Sequence, residues 1–179
     1  MIVPLAELDA ATREQLAHVT LVSARTHVTD WLPDLDAARE ELADALAPEK
    51  TALVLVERGK PIAWVAAAPD WGRIWELHPL IVAVDHQRRG HGLRLVHAVE
   101  DIARAAGALT MLLGTSDTVG ATSLSNVDLY DHTGARIDAM IVRAPHAVTF
   151  WQRAGYKIIG VVPDAEGPGK PSIQLARRL

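Results

Sequence analysis

No cysteine occurs in the 179 residues. That absence excludes disulfides, thiolate metal sites and a cysteine nucleophile, and it leaves the redox compartment open. Basic charge is not in surplus either: 18 Lys and Arg stand against 22 Asp and Glu, a formal net charge of −4. Nucleic-acid-binding domains usually carry a basic patch and a high pI, so no nucleic-acid partner is expected. No apolar run reaches the roughly 18 residues that a membrane helix needs. Residues 1–7 lack the basic segment and apolar stretch of a secretory signal. The expectation is no membrane association and a cytoplasmic location. No metal is expected, because His86 and His91 are five apart across a turn and no thiolate is available to join them. Internal repeats and low-complexity linkers are also missing.

What is present is a chain of ordinary domain length, 49% hydrophobic and 22% charged, enough to bury a core. The capping-box pattern Thr12-Arg13-Glu14-Gln15 predicts a helix over residues 12–25. Pro33 breaks the chain, and apolar Leu35, Ala38, Leu42 and Leu46 predict a second helix over 34–47. Residues 51–57 and 62–68, joined by Arg58-Gly59-Lys60, read as a hairpin, and 74–84 as a long strand. A helix over 90–106 has a wide apolar face that includes Leu93, Leu95, Val96, Val99, Ile102 and Ala103. A short strand at 109–113, a poorly patterned stretch at 114–143, a helix at 145–153 and strands at 156–162 and 172–176 complete the chain. The order predicts a mixed α/β (α+β) fold in a single domain over 1–179.

The most informative segment is Val82-Ala83-Val84-Asp85-His86-Gln87-Arg88-Arg89-Gly90-His91-Gly92. A strand ends, a polar turn carries two glycines, and a helix begins. Glycine permits a sharp turn and close approach of a ligand to the backbone. Helix N-terminal N–H groups and the helix dipole favour negative charge there, and Arg88, Arg89 and Arg94 add to it. The chemistry suits a pyrophosphate, although the pattern is neither a P-loop nor a dinucleotide fingerprint. An ordinary turn with a solvated arginine pair is the bland alternative.

Gln87-Arg88-Arg89-Gly90-His91-Gly92 resembles the Q/R-x-x-G-x-G/A signature of the GNAT acetyltransferases. Thr149-Phe150-Trp151-Gln152-Arg153-Ala154-Gly155-Tyr156 is similar to that family's second motif. The resemblance implies a mixed central sheet with a splayed pair of strands flanked by helices, and acetyl-CoA as cosubstrate. It implies that Gln87, Arg88, Arg89, Gly90, His91, Gly92 and Leu93 hold the pyrophosphate. Ile81, Val82, Ala83 and Val84 would run along the pantetheine arm, and Phe150 and Arg153 would flank it. Trp151 stands where family members often carry a catalytic Tyr; an indole can donate a hydrogen bond but is not a usable acid.

Trp75-Glu76-Leu77-His78-Pro79-Leu80 and three further segments, beginning at Leu113, Thr122 and Gly160, resemble the aminoglycoside 6′-N-acetyltransferases. That resemblance implies a homodimer and a small polycationic amine as acceptor. Acetylating an amine requires a neutral nitrogen, so a carboxylate that accepts its proton is needed. Glu76 is the candidate. His78, two residues on, shares its strand face. The Leu80 backbone N–H is the candidate oxyanion donor. Candidate acceptor contacts are Asp30, Trp31, Asp34, Trp75, Glu76, Asp117 and Asp128. The acidic positions Glu40, Glu41, Asp44 and Glu49 read as the solvated face of a helix. Two other readings stay open: a transferase for another amine, such as a polyamine, a small metabolite or a protein N-terminus, and a non-catalytic CoA-binding domain.

Overall fold

A computed structural model of the chain describes residues 1–27 and 31–179. The fold is mixed α/β, as the element order predicts, with seven strands and five α-helices among the described residues. The chain divides into two compact units, one of residues 1–111 with Leu179 and one of residues 112–178.

In the first unit β1 (Ile2–Pro4), β2 (Thr51–Glu57), β3 (Lys60–Pro69) and β4 (Ile74–Val82) lie side by side in that order, each pair antiparallel. Arg58 and Gly59 both have positive φ, 50° and 77°, and Glu57 pairs with Lys60. That is the two-residue hairpin turn whose twist matches its strands. Helices α1 (Ala10–His27) and α2 (Leu35–Asp44) bring Leu16, Ala17, Ala38 and Leu42 against Val54, Trp64, Ala66 and Ile81 of the sheet. α3 (His91–Ala105) also packs on β2, β3 and β4, burying Leu95, Val96, Val99 and Ala103. Ile102, predicted to share that buried face, is 39% exposed.

One predicted boundary, the start of α1, changes for a local reason. Asp9, not Thr12, caps α1: its side chain accepts from the Thr12 N–H at 2.7 Å, so the helix starts a turn before the capping-box pattern. Asp34 caps α2 in the same way, accepting from Ala37 N–H at 2.9 Å. Buried Trp64 donates to Thr20 Oγ1 at 2.8 Å, and that hydroxyl donates to the Leu16 carbonyl at 2.8 Å. This relay ties α1 to β3 through the core.

The second unit contains most of β5 (Thr110–Ser116), with α4 (Thr133–Asp138), α5 (Ala147–Arg153), β6 (Lys157–Val162) and β7 (Ser172–Arg178); β7 lies between β5 and β6. Its core includes Leu113, Leu124, Val148, Tyr156, Ile173 and Leu175. The poorly patterned stretch is a chain of turns around α4, closed by a single antiparallel bridge between Thr122 and Val142.

Candidate active site

β4 carries the candidate catalytic residues of the first unit, and its register explains where each side chain points. Val65 pairs with Leu80 and Ala67 with Leu77, so two steps on β3 oppose three on β4. The extra residue falls at His78-Pro79, whose peptide bond is cis. A bulge re-aims the side chains around it. Glu76, opposite Ala68, therefore shares the α1/α2 face with Ile81, opposite Trp64, although the two are five residues apart. Glu76 and His78 are both exposed. His78 meets Trp31 edge-on, with ring centroids 5.4 Å apart. Its Nε2 lies 3.7 Å from Oε1 of Glu41, which reaches in from α2.

Trp75 does not join them. Neighbouring residues of a strand point to opposite faces, and Trp75 is buried. It lines a pocket of about 330 Å³ with Pro69, Gly72, Arg73, Ala106, Gly107 and Ala108. Asp34 is engaged as the α2 cap, and Asp36 pairs with Arg39 at 2.5 Å. Asp30 lies outside the described residues.

β4 ends at Val82, two residues earlier than predicted, and a 3₁₀ turn at Val84–His86 follows. The Ala83 N–H donates to the Ile62 carbonyl at 2.8 Å, and Gln87 Nε2 donates to the Val82 carbonyl at 3.0 Å. Gln87 thus closes the turn from within. The Ile81 side chain belongs to the α1/α2 core. Arg88 has φ 59° and Gly90, the N-cap of α3, has φ 82°. No side chain caps this helix, and its first internal bond is Arg94 N–H to the Gly90 carbonyl. The N–H groups of His91, Gly92 and Leu93 precede that bond and are free of intrahelical partners. Exposed Arg88 and Arg89 flank them. A run of open donors, a left-handed glycine and two arginines fits a pyrophosphate. His86 Nδ1 lies 2.7 Å from Asp85 Oδ1, and this bond holds the Asp85 carboxyl below its usual range.

Residues 18–135 match the acetyltransferase (GNAT) family. The chain belongs to that family. GNAT enzymes are N-acetyltransferases that take acetyl-CoA as donor, and the open donors of α3 stand where the family signature lies. An aminoglycoside 6′-N-acetyltransferase complexed with coenzyme A is 31% identical, covering 99% of this chain and 96% of that one at a TM-score of 0.89. The aminoglycoside 6′-N-acetyltransferase from Enterococcus faecium is also 31% identical, with the same coverage and a TM-score of 0.87. An aminoglycoside 6′-acetyltransferase type Ii is 26% identical at a TM-score of 0.72, again over 99% and 96% of the two chains. No curated protein matches the sequence.

The second GNAT motif lies in the other unit. Trp151 is 6% exposed and packs edge-to-face on Phe150 and Tyr156, at centroid distances of 4.9 and 5.2 Å. Its ring packs into the core of this unit. Phe150 is half-buried and Arg153 exposed. His146 caps α5: its Nδ1 accepts from Val148 N–H at 3.2 Å while Nε2 lies 3.0 Å from the Ser116 carbonyl. These two contacts select the tautomer with the proton on Nε2.

Asp117, expected at an acceptor rim, is turned into its own loop. It is fully buried, and its carboxylate accepts from the N–H groups of Ala121 and Thr122 and the hydroxyls of Thr122 and Ser125, at 2.6–2.8 Å. Burial raises its pKa, but these bonds outweigh it and hold the carboxyl below the usual range. Asp117 is the organiser of the loop after β5. Asp128 is exposed and accepts from Tyr130 N–H at 3.0 Å.

Sequence reasoning missed Glu41, which reads as part of a solvated face. The signal available was its position three residues after Ala38 and one before Leu42, at the edge of the buried stripe of α2.

Proposed function

We propose that this GNAT enzyme transfers the acetyl group of acetyl-CoA to the 6′-amino group of an aminoglycoside. The observation that carries the reading is the exposed Glu76–His78 face of β4 beside Trp31 and Glu41. Carboxylates and an indole are the groups that recognise ammonium ions. The two relatives at 31% identity, both aminoglycoside 6′-N-acetyltransferases, support the same acceptor.

Acetyl-CoA supplies the acyl carbon as an activated thioester. Glu76, open to solvent, takes the proton that the acceptor ammonium must lose, directly or through one water. The Leu80 amide, next to the bulge that interrupts the ladder, is the donor assigned to the developing oxyanion. The thiolate takes, through solvent, the second proton that the nitrogen sheds as the amide forms, since a thiol with a reference pKa near 8.5 needs no strong acid and Trp151 supplies none. The Trp31, His78 and Glu76 face is the acceptor's side; the α3 turn with Gly90, Arg88 and Arg89 is the donor's.

A second reading, acetylation of another small amine, draws support from the engagement of Asp34 and Asp117. Two carboxylates expected at an acceptor rim are committed to a helix cap and a loop. CoA release from acetyl-CoA, followed with a thiol reagent, separates the two readings. Kanamycin, tobramycin, a 6′-hydroxy aminoglycoside and spermidine are the acceptors. Turnover with the 6′-amino drugs and not with the 6′-hydroxy analogue is the expected result. Turnover with spermidine alone transfers the assignment to the second reading.

A further inference from the structure

Four acidic residues lie on α2, and Glu41 differs from the others. Asp36 and Asp44 have side chains 82% and 63% exposed, and Glu40 is exposed, whereas the Glu41 side chain is only 18% exposed. Among the described residues, the His78 imidazole is the one basic side chain within 4 Å of its carboxylate. The 3.7 Å separation is too long for a hydrogen bond. Covering a carboxylate that has no close partner among the described residues costs free energy, and a bound cation would offset that cost.

The surroundings suit such a cation. His78 is 57% exposed and can swing away without leaving a cavity. Trp31 already presents its ring to the space that His78 occupies. An ammonium that displaced the imidazole would meet a carboxylate and an aromatic ring together, a pairing that binds cations well once water is excluded. Glu76 stands one strand repeat from His78, roughly 6.6 Å along β4. With an ammonium in place of the imidazole, a second amino group of the same acceptor would be left to Glu76.

We infer that Glu41 is a specificity-determining residue, binding a second ammonium of a polyamine acceptor while Glu76 serves the amine that reacts. This assignment rests on the functional reading above. It makes Glu41 responsible for choosing polycationic acceptors over simple amines, through binding and not through the chemical step.

The test is steady-state kinetics of the wild type, Glu41→Gln and Glu40→Gln with two acceptors, tobramycin and the monoamine methyl 6-amino-6-deoxyglucoside. Losing one charged contact raises KM for tobramycin about tenfold to a hundredfold in Glu41→Gln, with kcat and the KM for acetyl-CoA unchanged. The monoamine, which lacks the second ammonium, loses nothing comparable. Glu40→Gln removes the same charge from the solvated face and behaves as wild type. Should Glu41→Gln fail to fold, Glu41→Asp keeps the charge but shortens its reach, and a selective loss for tobramycin is again expected. An unchanged KM, an equal loss for both acceptors or an equal loss in Glu40→Gln overturns the assignment. Wild-type turnover with tobramycin alongside an unaltered Glu41→Gln sinks this inference alone. Absence of wild-type turnover with any aminoglycoside sinks the functional reading, and this inference falls with it.

Discussion

Asp117 accepts four hydrogen bonds inside the loop that follows β5, while Glu76 stands exposed on its strand face with no such engagement among the described contacts. Their substitutions should separate stability from turnover. In Asp117→Asn the new amide points N–H at donors of Ala121, Thr122 or Ser125, leaving buried groups unpaired at a cost of about 3 kcal/mol. Urea denaturation reads that loss. Glu76→Gln should leave the urea midpoint alone and lower kcat for acetyl transfer by roughly a hundredfold to ten-thousandfold, the span of general-base contributions. The KM for acetyl-CoA should not move. Undiminished turnover in Glu76→Gln removes it from the mechanism. Glu76 was legible because a residue type and a strand position suffice to nominate it. The inward placement of Asp117, Trp75 and Trp151 was not legible, because it depends on what lies above them. An aspartate after a strand reads the same whether it faces solvent or gathers a loop, and only the fold distinguishes the two.

At the scale of elements, the turn between β4 and α3 combines two demands on one residue. Gly90 must hold φ at 82° and leave the first amides of α3 uncovered. A Cβ there meets nothing within 4 Å, so the cost of a side chain is conformational, about 1–2 kcal/mol. Gly90→Val should raise the KM for acetyl-CoA by re-aiming those amides. Gly59→Val, at φ 77° in the β2–β3 hairpin and also clear of neighbours, should cost similar stability without that effect on KM. An identical KM in both variants counts against a pyrophosphate at the turn. Most elements were readable because their apolar periods and turn residues agree: the positive-φ hairpin at Arg58-Gly59 and the strong stripe of α3 are examples. The stretch from 114 to 143 was not readable because its order comes from the Asp117 bonds and one bridge, not from periodicity. The β4 bulge was equally hidden. Alternation alone places Ile81 on the face opposite Glu76, and one extra residue reverses that.

For the molecule as a whole, the resolved carboxylate shifts all run one way. Asp9 is lowered by the Thr12 N–H, Glu14 by Arg39, Asp85 by His86, and Asp117 by its hydroxyl and amide partners against the opposing effect of burial. A carboxyl whose folded pKa lies below its unfolded value binds fewer protons when folded. Its stabilisation is complete above the unfolded pKa, near 4, and is lost as the pH falls through the folded value. Asp9, Glu14 and Asp85 are exposed and screened by solvent, so their share is small. Asp117 is buried and dominates. Urea midpoints should therefore be level from about pH 7 to pH 5 and fall steeply below about pH 4, by the linkage just stated. The decisive comparison is with Asp117→Asn, which cannot titrate. The gap between wild type and variant should be widest at neutral pH and should narrow through the acid limb as the wild type protonates Asp117. A gap that stays constant down to pH 3 would mean that the Asp117 charge is not what holds the loop, and that its packing alone accounts for the variant's loss.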